Sequence, residues 1–197
     1  MRIRQAQTAL IISTIFALSL TGCGGEDFDI TDFAVGELGP AGGFIFFVDE
    51  DNDYEFDFLE AAPEDAERDG EGIFQWASGF DESFYIGANG SQIGSGEQNT
   101  ATIVGALDGD EQTNRAAQVA DAYEFDGYDD WFLPSEQELE LMYETLKAED
   151  VADFDGMVYW SSTENSVTHA TGQSFSSGMQ TEWRKDYRYR VRPIRAF

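Results

Sequence analysis

The sequence predicts an α+β fold, in which strands at both ends of the folded region flank helices that lie between them in the chain. Three segments carry this prediction. A continuous apolar run at 44–48 is typical of a buried strand, and alternation at 187–192 is typical of a strand with one covered face. Between them, the segment 135–148 has both the start signal and the apolar spacing of a helix.

The first half of the region supplies strands and then helices. A glycine-rich turn after Gly36 leads into the strand at 44–48, an acidic loop occupies 49–53, and a second short strand is predicted at 56–62. Asn99 or Thr100 is placed to cap a short helix that runs through Leu107. An apolar stripe predicts a second helix at 116–123.

The helix predicted at 135–148 has the clearest start signal in the chain. Ser135 is placed to accept a hydrogen bond from the Glu138 N–H, while the Glu138 carboxylate reaches back to the Ser135 N–H. Pro134 keeps the preceding chain extended. The apolar face predicted for this helix consists of Leu139, Met142, Tyr143 and Leu146.

The C-terminal part reads as short strands. The first is predicted at 157–160, with 161–163 either turning away or continuing the ladder. Further strands are predicted at 173–175, 179–183 and 187–191. Trp131 and Trp160 are predicted to be core residues.

Six motifs in order resemble one protein family. They are GPAGGFIFFVD at 39–49, LEAAPED at 59–65, IGSGEQNT at 93–100, GYDDWFLPS at 127–135, YWSSTE at 159–164 and VRPIRAF at 191–197. The set resembles the C-terminal domain of Lcl-type collagen-like adhesins, which is similar in fold to C-type lectins and formylglycine-generating enzymes. The resemblance covers 36–197.

The resemblance implies a single C-type-lectin-like domain with paired terminal strands, two to three helices and a small antiparallel sheet. It does not imply formylglycine-generating activity, which uses paired cysteines, because the chain has only Cys23. No collagen Gly-X-Y repeat precedes the domain, so the trimeric stalk of the adhesins is not carried over.

The first 22 residues have the features of an export signal. Arg2 and Arg4 precede a short apolar core that ends in Leu20-Thr21-Gly22-Cys23, which looks like a bacterial lipobox. Lipidation is predicted at Cys23, and several acyl chains on one residue give stable anchoring to a lipid bilayer. Gly24 follows the cysteine, and lipoproteins that lack an aspartate at this position resemble those sent to the outer membrane. The predicted destination is therefore the outer membrane.

The predicted organisation is therefore a lipoprotein signal peptide at 1–22, the lipidated cysteine and an acidic tether at 23–35, and the Lcl-like domain at 36–197. An ordinary secretion signal with an incidental cysteine is the alternative reading of the N-terminus. The predicted localisation is the bacterial cell envelope.

Acidic residues dominate the charge, with 39 Asp and Glu against 11 Lys and Arg and a formal net charge of −28. Such a surface repels nucleic acid, so no nucleic-acid partner is expected. Only two lysines occur, and an acidic, lysine-poor composition suits salty surroundings, where ions screen self-repulsion.

The acidic loop at 49–53 has part of the spacing of a calcium site. Asp49, Asp51, Asp53 and Glu60 fall at positions 1, 3, 5 and 12 of an EF-hand count. Tyr54 stands where the sharp turn requires glycine, and no helix signal precedes the loop. A solvated hairpin loop is favoured and no cofactor is expected, with a weak calcium contact as the alternative.

Catalytic arrangements find little support. His169 is the only histidine and is expected at the surface of a loop, so no enzymatic activity is predicted. Asp129 and Asp130 offer adjacent carboxylates, which are read as structural, with Asp130 bonding local backbone amides. A glycosidase-like or metal role is the alternative.

Basic residues gather at the C-terminus, at Arg184, Lys185, Arg188, Arg190, Arg192 and Arg195. One reading is a patch for an anionic polysaccharide, with Trp183 stacking on a sugar. The favoured reading is that these bases pair with neighbouring carboxylates and hold an acidic domain together.

Together these features predict a lipid-anchored envelope protein with a non-catalytic, lectin-like recognition domain that binds a glycan or protein partner. The alternatives are a structural envelope lipoprotein without a small ligand and, behind both, a carboxylate-based hydrolase. The ligand surface is predicted in the region 164–185. Its candidate residues are Glu164, Asn165, Thr168, His169, Gln173, Trp183, Arg184 and Lys185.

Overall fold

A computed structural model describes residues 28–78 and 85–197. The predicted signal peptide, Cys23 and the first part of the tether lie outside the described residues. The described chain is α+β, as predicted, with helices and small antiparallel sheets. Its strands are β1 (Phe44–Val48), β2 (Phe58–Ala61), β3 (Phe74–Gln75), β4 (Val158–Glu164), β5 (His169–Ser174), β6 (Gln180–Arg184), β7 (Arg188–Tyr189) and β8 (Ile194–Ala196). Its helices are α1 (Gly96–Gly109), α2 (Ala116–Asp121) and α3 (Glu136–Met142), the last continued by a π-helical turn at Tyr143–Lys147.

One three-stranded sheet joins the two ends of the domain in the order β1-β2-β8. β2 pairs antiparallel with both neighbours, so Glu60 lies opposite Ile45 on one side and opposite Arg195 on the other. The first and last strands therefore share a sheet, with β2 between them. The apolar run of β1 buries Ile45 and Phe46 completely, as a buried strand requires.

A second sheet has the order β4-β5-β6, and its last two strands overlap the strands predicted at 173–175 and 179–183. β5 begins at His169, so the expectation of a loop there was wrong. The strand predicted at 173–175 therefore begins earlier than expected, because its first part is polar on the covered side, where buried Thr171 bonds to Glu136 of α3. The segment 161–163 continues the ladder of β4.

The helices match the predicted order, with one shifted start. α1 begins at Gly96, because Asn99 and Thr100 point into the domain instead of capping it. Asn99 Nδ2 donates to the Gly90 carbonyl at 2.6 Å, and Thr100 Oγ1 accepts from the Leu133 N–H at 3.0 Å. These bonds fasten α1 to its neighbours.

The predicted capping box of α3 is confirmed. Ser135 Oγ accepts from the Glu138 N–H at 3.4 Å, and Glu138 Oε2 accepts from the Ser135 N–H at 2.6 Å. Leu139, Met142 and Leu146 are completely buried, as the apolar stripe predicts. The helix therefore begins and packs as its sequence dictates.

Two main clusters of apolar residues form the core. One surrounds Trp76 and Trp160 beneath α1 and α2, and the other lies between the β1-β2-β8 sheet and α3. Trp131 and Trp160 are 2% and 0% exposed, which confirms both as core residues. None of the helices in the described ranges combines the length and apolar composition that a membrane crossing needs.

Candidate functional site

The predicted ligand residues lie on and around the β5-β6 hairpin, but they do not form one exposed surface. Glu164, Gln173 and Lys185 are buried, and the other five are exposed or half-buried. The buried three hold polar partners inside the domain and are not presented at its surface.

The pair formed by Glu164 and Lys185 is completely buried. Lys185 Nζ lies 2.5 Å from Glu164 Oε1 and 4.6 Å from the centre of the Trp76 ring. The carboxylate also accepts from the N–H groups of Ile86 and Gly87 at 3.0 and 2.6 Å. Burial lowers the pKa of Lys185, while Glu164 opposes that shift. The pair therefore ties the segment at 86–87 to the hairpin.

Trp183 is half-buried and packs against the cluster around Trp160. Its ring meets Tyr189 edge-on at 5.2 Å, and its Nε1 is buried without a hydrogen-bond partner in the described chain. Gln173 is also inside, donating from Nε2 to Glu140 Oε2 at 2.6 Å. Neither side chain is presented as an open platform for a sugar.

The remaining candidates bond to neighbouring polar side chains of the same region. Thr168 Oγ1 lies 2.8 Å from His169 Nδ1, and Asn165 Oδ1 accepts from Thr171 Oγ1 at 3.0 Å. Arg184 pairs with Asp186 at 2.7 Å in an exposed bidentate contact. These polar groups stabilise the ends of the hairpin.

Each of the six C-terminal bases pairs with a carboxylate, which confirms the ion-pair interpretation. The pairs are Arg184–Asp186, Lys185–Glu164, Arg188–Glu71, Arg190–Asp155, Arg192–Asp65 and Arg195 with both Glu60 and Asp130. Asp130 was expected to bond local backbone amides, but it accepts from Arg195 at 2.8 Å through both oxygens. The bases that would form a polyanion-binding patch are therefore already paired with carboxylates of the protein.

The EF-hand count does not bring its acids together. Asp49 accepts from the Tyr54 N–H at 2.8 Å, whereas Glu60 lies inside the sheet and accepts from the Gly43 N–H at 2.6 Å. Within the described ranges, no group of three or more His, Cys, Asp or Glu side chains is arranged to hold a metal ion.

An open cleft of about 690 Å³ gathers residues from four separate segments of the chain. We call it the acidic cleft. It is lined by Pro63, Glu64, Asp65, Glu67, Tyr123, Glu124, Phe125, Asp153, Phe154, Asp155, Arg190 and Arg192. The lining thus contains six carboxylates and two arginines.

A hydrogen-bonded network forms the floor of the acidic cleft. Arg192 Nε donates to Asp65 Oδ1 at 2.8 Å, and its Nη2 donates to the Asp153 carbonyl at 2.7 Å. Tyr159 Oη donates to Asp65 Oδ2 at 2.9 Å, and burial raises the pKa of this phenol. Arg190 bonds to Asp155 and to the Gly72 carbonyl at 3.1 Å. Both arginines are therefore engaged by the protein itself.

The walls and rim of the cleft differ from its floor. Tyr123 and Phe125 are half-buried with nearly parallel rings, 6.4 Å apart at an angle of 10°. Glu64, Glu67 and Glu124 are exposed at the rim. Aromatic faces beside carboxylates bind ammonium and guanidinium groups, and they also bind the apolar faces and hydroxyls of sugars.

Comparison with known proteins adds no assignment for this site. Neither the protein-family models nor the curated proteins compared with the chain give a match. The role of the acidic cleft is therefore argued from its own residues.

Sequence reasoning missed the acidic cleft as a unit. Asp65 and Arg192 lie in motifs that carry the family resemblance, but Tyr123 and Phe125 lie between those motifs. Asp65 and Arg192 are 127 residues apart, so no local pattern places them together. The one local feature that could have indicated the cleft is the group of acidic residues beside aromatic residues at 123–126 and 153–155.

Proposed function

We propose that this protein is a lipid-anchored cell-envelope protein whose folded domain is a non-catalytic recognition module. Its acidic cleft binds a basic segment of a protein partner, rich in lysine or arginine. The composition of the cleft carries this proposal, because the exposed rim carboxylates are not matched by the two arginines of the floor.

Charge favours a cationic partner over an anionic polysaccharide. The net charge of −28 attracts basic segments over long range and raises their association rate at low salt. Tyr123 and Phe125 provide ring faces for the final contact with an ammonium or guanidinium group. The C-terminal bases, which suggested polyanion binding, are each paired with an acid.

The hydrogen bonds of the candidate catalytic groups favour a non-catalytic role. Asp65, the most enclosed carboxylate of the cleft floor, accepts from both Arg192 and Tyr159. A carboxylate whose two oxygens already accept from the protein is poorly placed to take a proton from a substrate. His169 is turned to Thr168 and is not among the residues that line the cleft.

The lipobox ending at Cys23 supports anchoring to the envelope, with the outer membrane as the proposed location. The anchor would hold the cleft at the membrane surface, where it would meet partners from one side. A glycan-binding module is the second candidate, since carboxylates beside aromatic rings also suit sugar hydroxyls.

Peptide and glycan arrays with the full chain in detergent micelles test the proposal. We expect binding to lysine- and arginine-rich peptides, with an affinity that falls as salt rises. Glu64→Gln with Glu124→Gln should weaken it about threefold to tenfold, since exposed ion pairs contribute up to about 1 kcal/mol each. The matched control is Glu144→Gln with Glu149→Gln, which removes the same charge outside the cleft lining.

The array results separate the candidates. Equal weakening by the two double variants would contradict binding at the cleft and indicate only a general charge effect. Binding confined to glycans would replace the basic segment by a sugar, and the absence of any ligand would favour a structural lipoprotein.

A further inference from the structure

Exposed apolar side chains gather at the face where the described chain begins. Ile30, Val35 and Leu38 are 41%, 46% and 58% exposed. Ile30 and Val35 line a groove of about 680 Å³, and Leu38 forms a backbone bridge with Phe44 at the start of β1. The other residues of the groove are Thr31, Phe33, Ala34, Phe46, Phe47, Val48, Glu50, Leu141 and Thr145. Water-exposed apolar residues in such a cluster mark an interaction surface. We call this surface the N-terminal apolar face.

This face is fixed to the body of the domain. Phe28 packs edge-on against Phe33 and Phe197, with ring centres 5.4 and 5.3 Å apart. Phe33 also contacts Phe58 of β2 at 5.4 Å, and it lines the groove itself. The aromatic cluster therefore joins the start of the described chain rigidly to the sheet.

The same face extends to the segment that follows α3. Val151 is 37% exposed, and its side chain lies beside Gly36, where a Cβ would approach within 3.5 Å. The Gly36 N–H donates to the Ile45 carbonyl of β1 at 2.8 Å. Apolar contacts from two distant parts of the sequence thus meet beside β1.

The chain between Cys23 and Phe28 is too short to hold this face far from a membrane. Four residues separate the two positions, so even a fully extended chain places Phe28 within about 18 Å of the acylated cysteine. The acyl chains sit in the bilayer, and the cysteine lies at its surface. The groove, which begins at Ile30, is the apolar surface nearest the anchor along the chain.

We propose that the N-terminal apolar face lies against the bilayer in which Cys23 is anchored, with Ile30, Val35, Leu38 and Val151 at the lipid interface. This inference rests on the lipid anchoring in the proposed function, but not on the ligand of the acidic cleft. Burial of these side chains at the interface is favourable because it removes apolar surface from water. The domain therefore has a fixed orientation on the membrane and does not rotate freely about its linker to Cys23.

The charges around this face specify the lipid. Asp29, Asp32 and Glu37 are exposed beside the apolar residues, so anionic headgroups repel the face. Contact is expected with zwitterionic headgroups, and phosphatidylglycerol should weaken it at low salt and less at high salt.

Site-specific fluorescence tests the orientation. Acylated Cys23 has no free thiol, so a new cysteine is the single labelling site. Val35→Cys and Tyr187→Cys form a matched pair, because the native side chains are 46% and 47% exposed. Each labelled full-length protein is placed in phosphatidylcholine vesicles that carry a quencher on the acyl chains, after mass spectrometry has verified acylation.

The expected result is several-fold stronger quenching at position 35 than at position 187, reduced when phosphatidylglycerol is added at low salt. Equal quenching at the two positions would overturn the orientation. Shielding at position 35 that depends on protein density instead of lipid quencher would assign the face to a second copy and also overturn it. A chain without acyl groups would overturn the anchoring, while leaving the peptide-array test of the cleft intact.

Discussion

At the level of single residues, the described domain is fastened by three buried glutamates. Glu60, Glu138 and Glu164 are each at most 2% exposed, and each accepts from the N–H of a nearby glycine. The glycines are Gly43, Gly94 and Gly87, with donor–acceptor distances of 2.6 to 2.7 Å. Hydrogen bonds to an ionised carboxylate are strong, so these residues order loops that have little apolar surface of their own.

Glu138 gives the domain a measurable pH dependence. Burial raises its pKa above the ordinary 4.5, although the Ser135 and Gly94 N–H groups oppose the shift. The folded chain then holds the proton at a pH where the unfolded chain has released it. Its contribution to stability is therefore full below pH 4.5 and is lost as the pH rises through the raised pKa.

The variant Glu138→Gln cannot titrate at this position. We expect it to be less stable than the native chain, because one backbone donor then faces an amide nitrogen. The difference in unfolding free energy should shrink as the pH rises from below 4.5, and chemical denaturation across a pH series measures it. Glu144→Gln, on the exposed side of the π-helical turn, controls for the loss of one charge. A difference that grows with pH would contradict the assignment.

The buried pair of Lys185 and Glu164 predicts unequal effects at neighbouring positions. Lys185→Met leaves Glu164 buried without its cation, which should cost about 3–5 kcal/mol in chemical denaturation. Arg184→Met disrupts an exposed contact to Asp186 and should cost less than about 1 kcal/mol. Adding Glu164→Gln to Lys185→Met should recover part of the loss. Equal costs at 184 and 185 would show that the pair does not fasten the hairpin.

Among the elements, helix α1 contains two glycines with opposite expected effects. A Cβ at Gly96 would overlap Glu138 Oε2 and lie 2.9 Å from the Leu133 carbonyl oxygen, so the helix start fits closely against the loop before α3. At Gly105 a Cβ meets nothing within 4 Å. The glycine at 96 serves close packing, whereas the glycine at 105 only weakens the helix.

Alanine at these two positions separates the effects. Gly96→Ala should destabilise the domain by about 1–3 kcal/mol, because a well-packed site must rearrange around the added carbon. Gly105→Ala should stabilise it by up to about 1 kcal/mol, since alanine has the higher helix propensity. Denaturation midpoints of the two variants provide the measurement. A shift in the same direction at both positions would contradict the close contact between α1 and Glu138.

For the whole molecule, the sequence predicted those elements whose signals lie in neighbouring residues. The strand at 44–48 and the capping box at Ser135 were confirmed because their signals lie within a few residues of one another. The first part of β5, before the strand predicted at 173–175, was missed because Thr171, one of its inward-facing residues, is polar and has its partner on α3. Arg192 was predicted to pair with a carboxylate, but its partner could not be identified, because Asp65 lies 127 residues earlier in the chain. Partners that only the tertiary fold brings together leave no local pattern.

The charge of the whole chain predicts how its stability responds to salt. With 39 acids and 11 bases, repulsion among like charges opposes the compact state. Sodium chloride shortens the screening length from about 10 Å at 0.1 M to about 3 Å at 1 M, which relieves this repulsion. Salt also weakens exposed pairs such as Arg188–Glu71, but these contribute little. Buried pairs such as Lys185–Glu164 are screened much less.

The melting temperature should therefore rise from low to high sodium chloride, as measured by circular dichroism. Glu144→Gln with Glu149→Gln should reduce the size of this rise, because the double variant removes two charges from the repelling surface. Sucrose at matched osmolality separates screening from solute exclusion, since it stabilises compact states without shielding charge. A melting temperature that stays flat or falls with salt would mean that attraction within ion pairs outweighs repulsion between acids. It would also remove the reason to place this composition in salty surroundings.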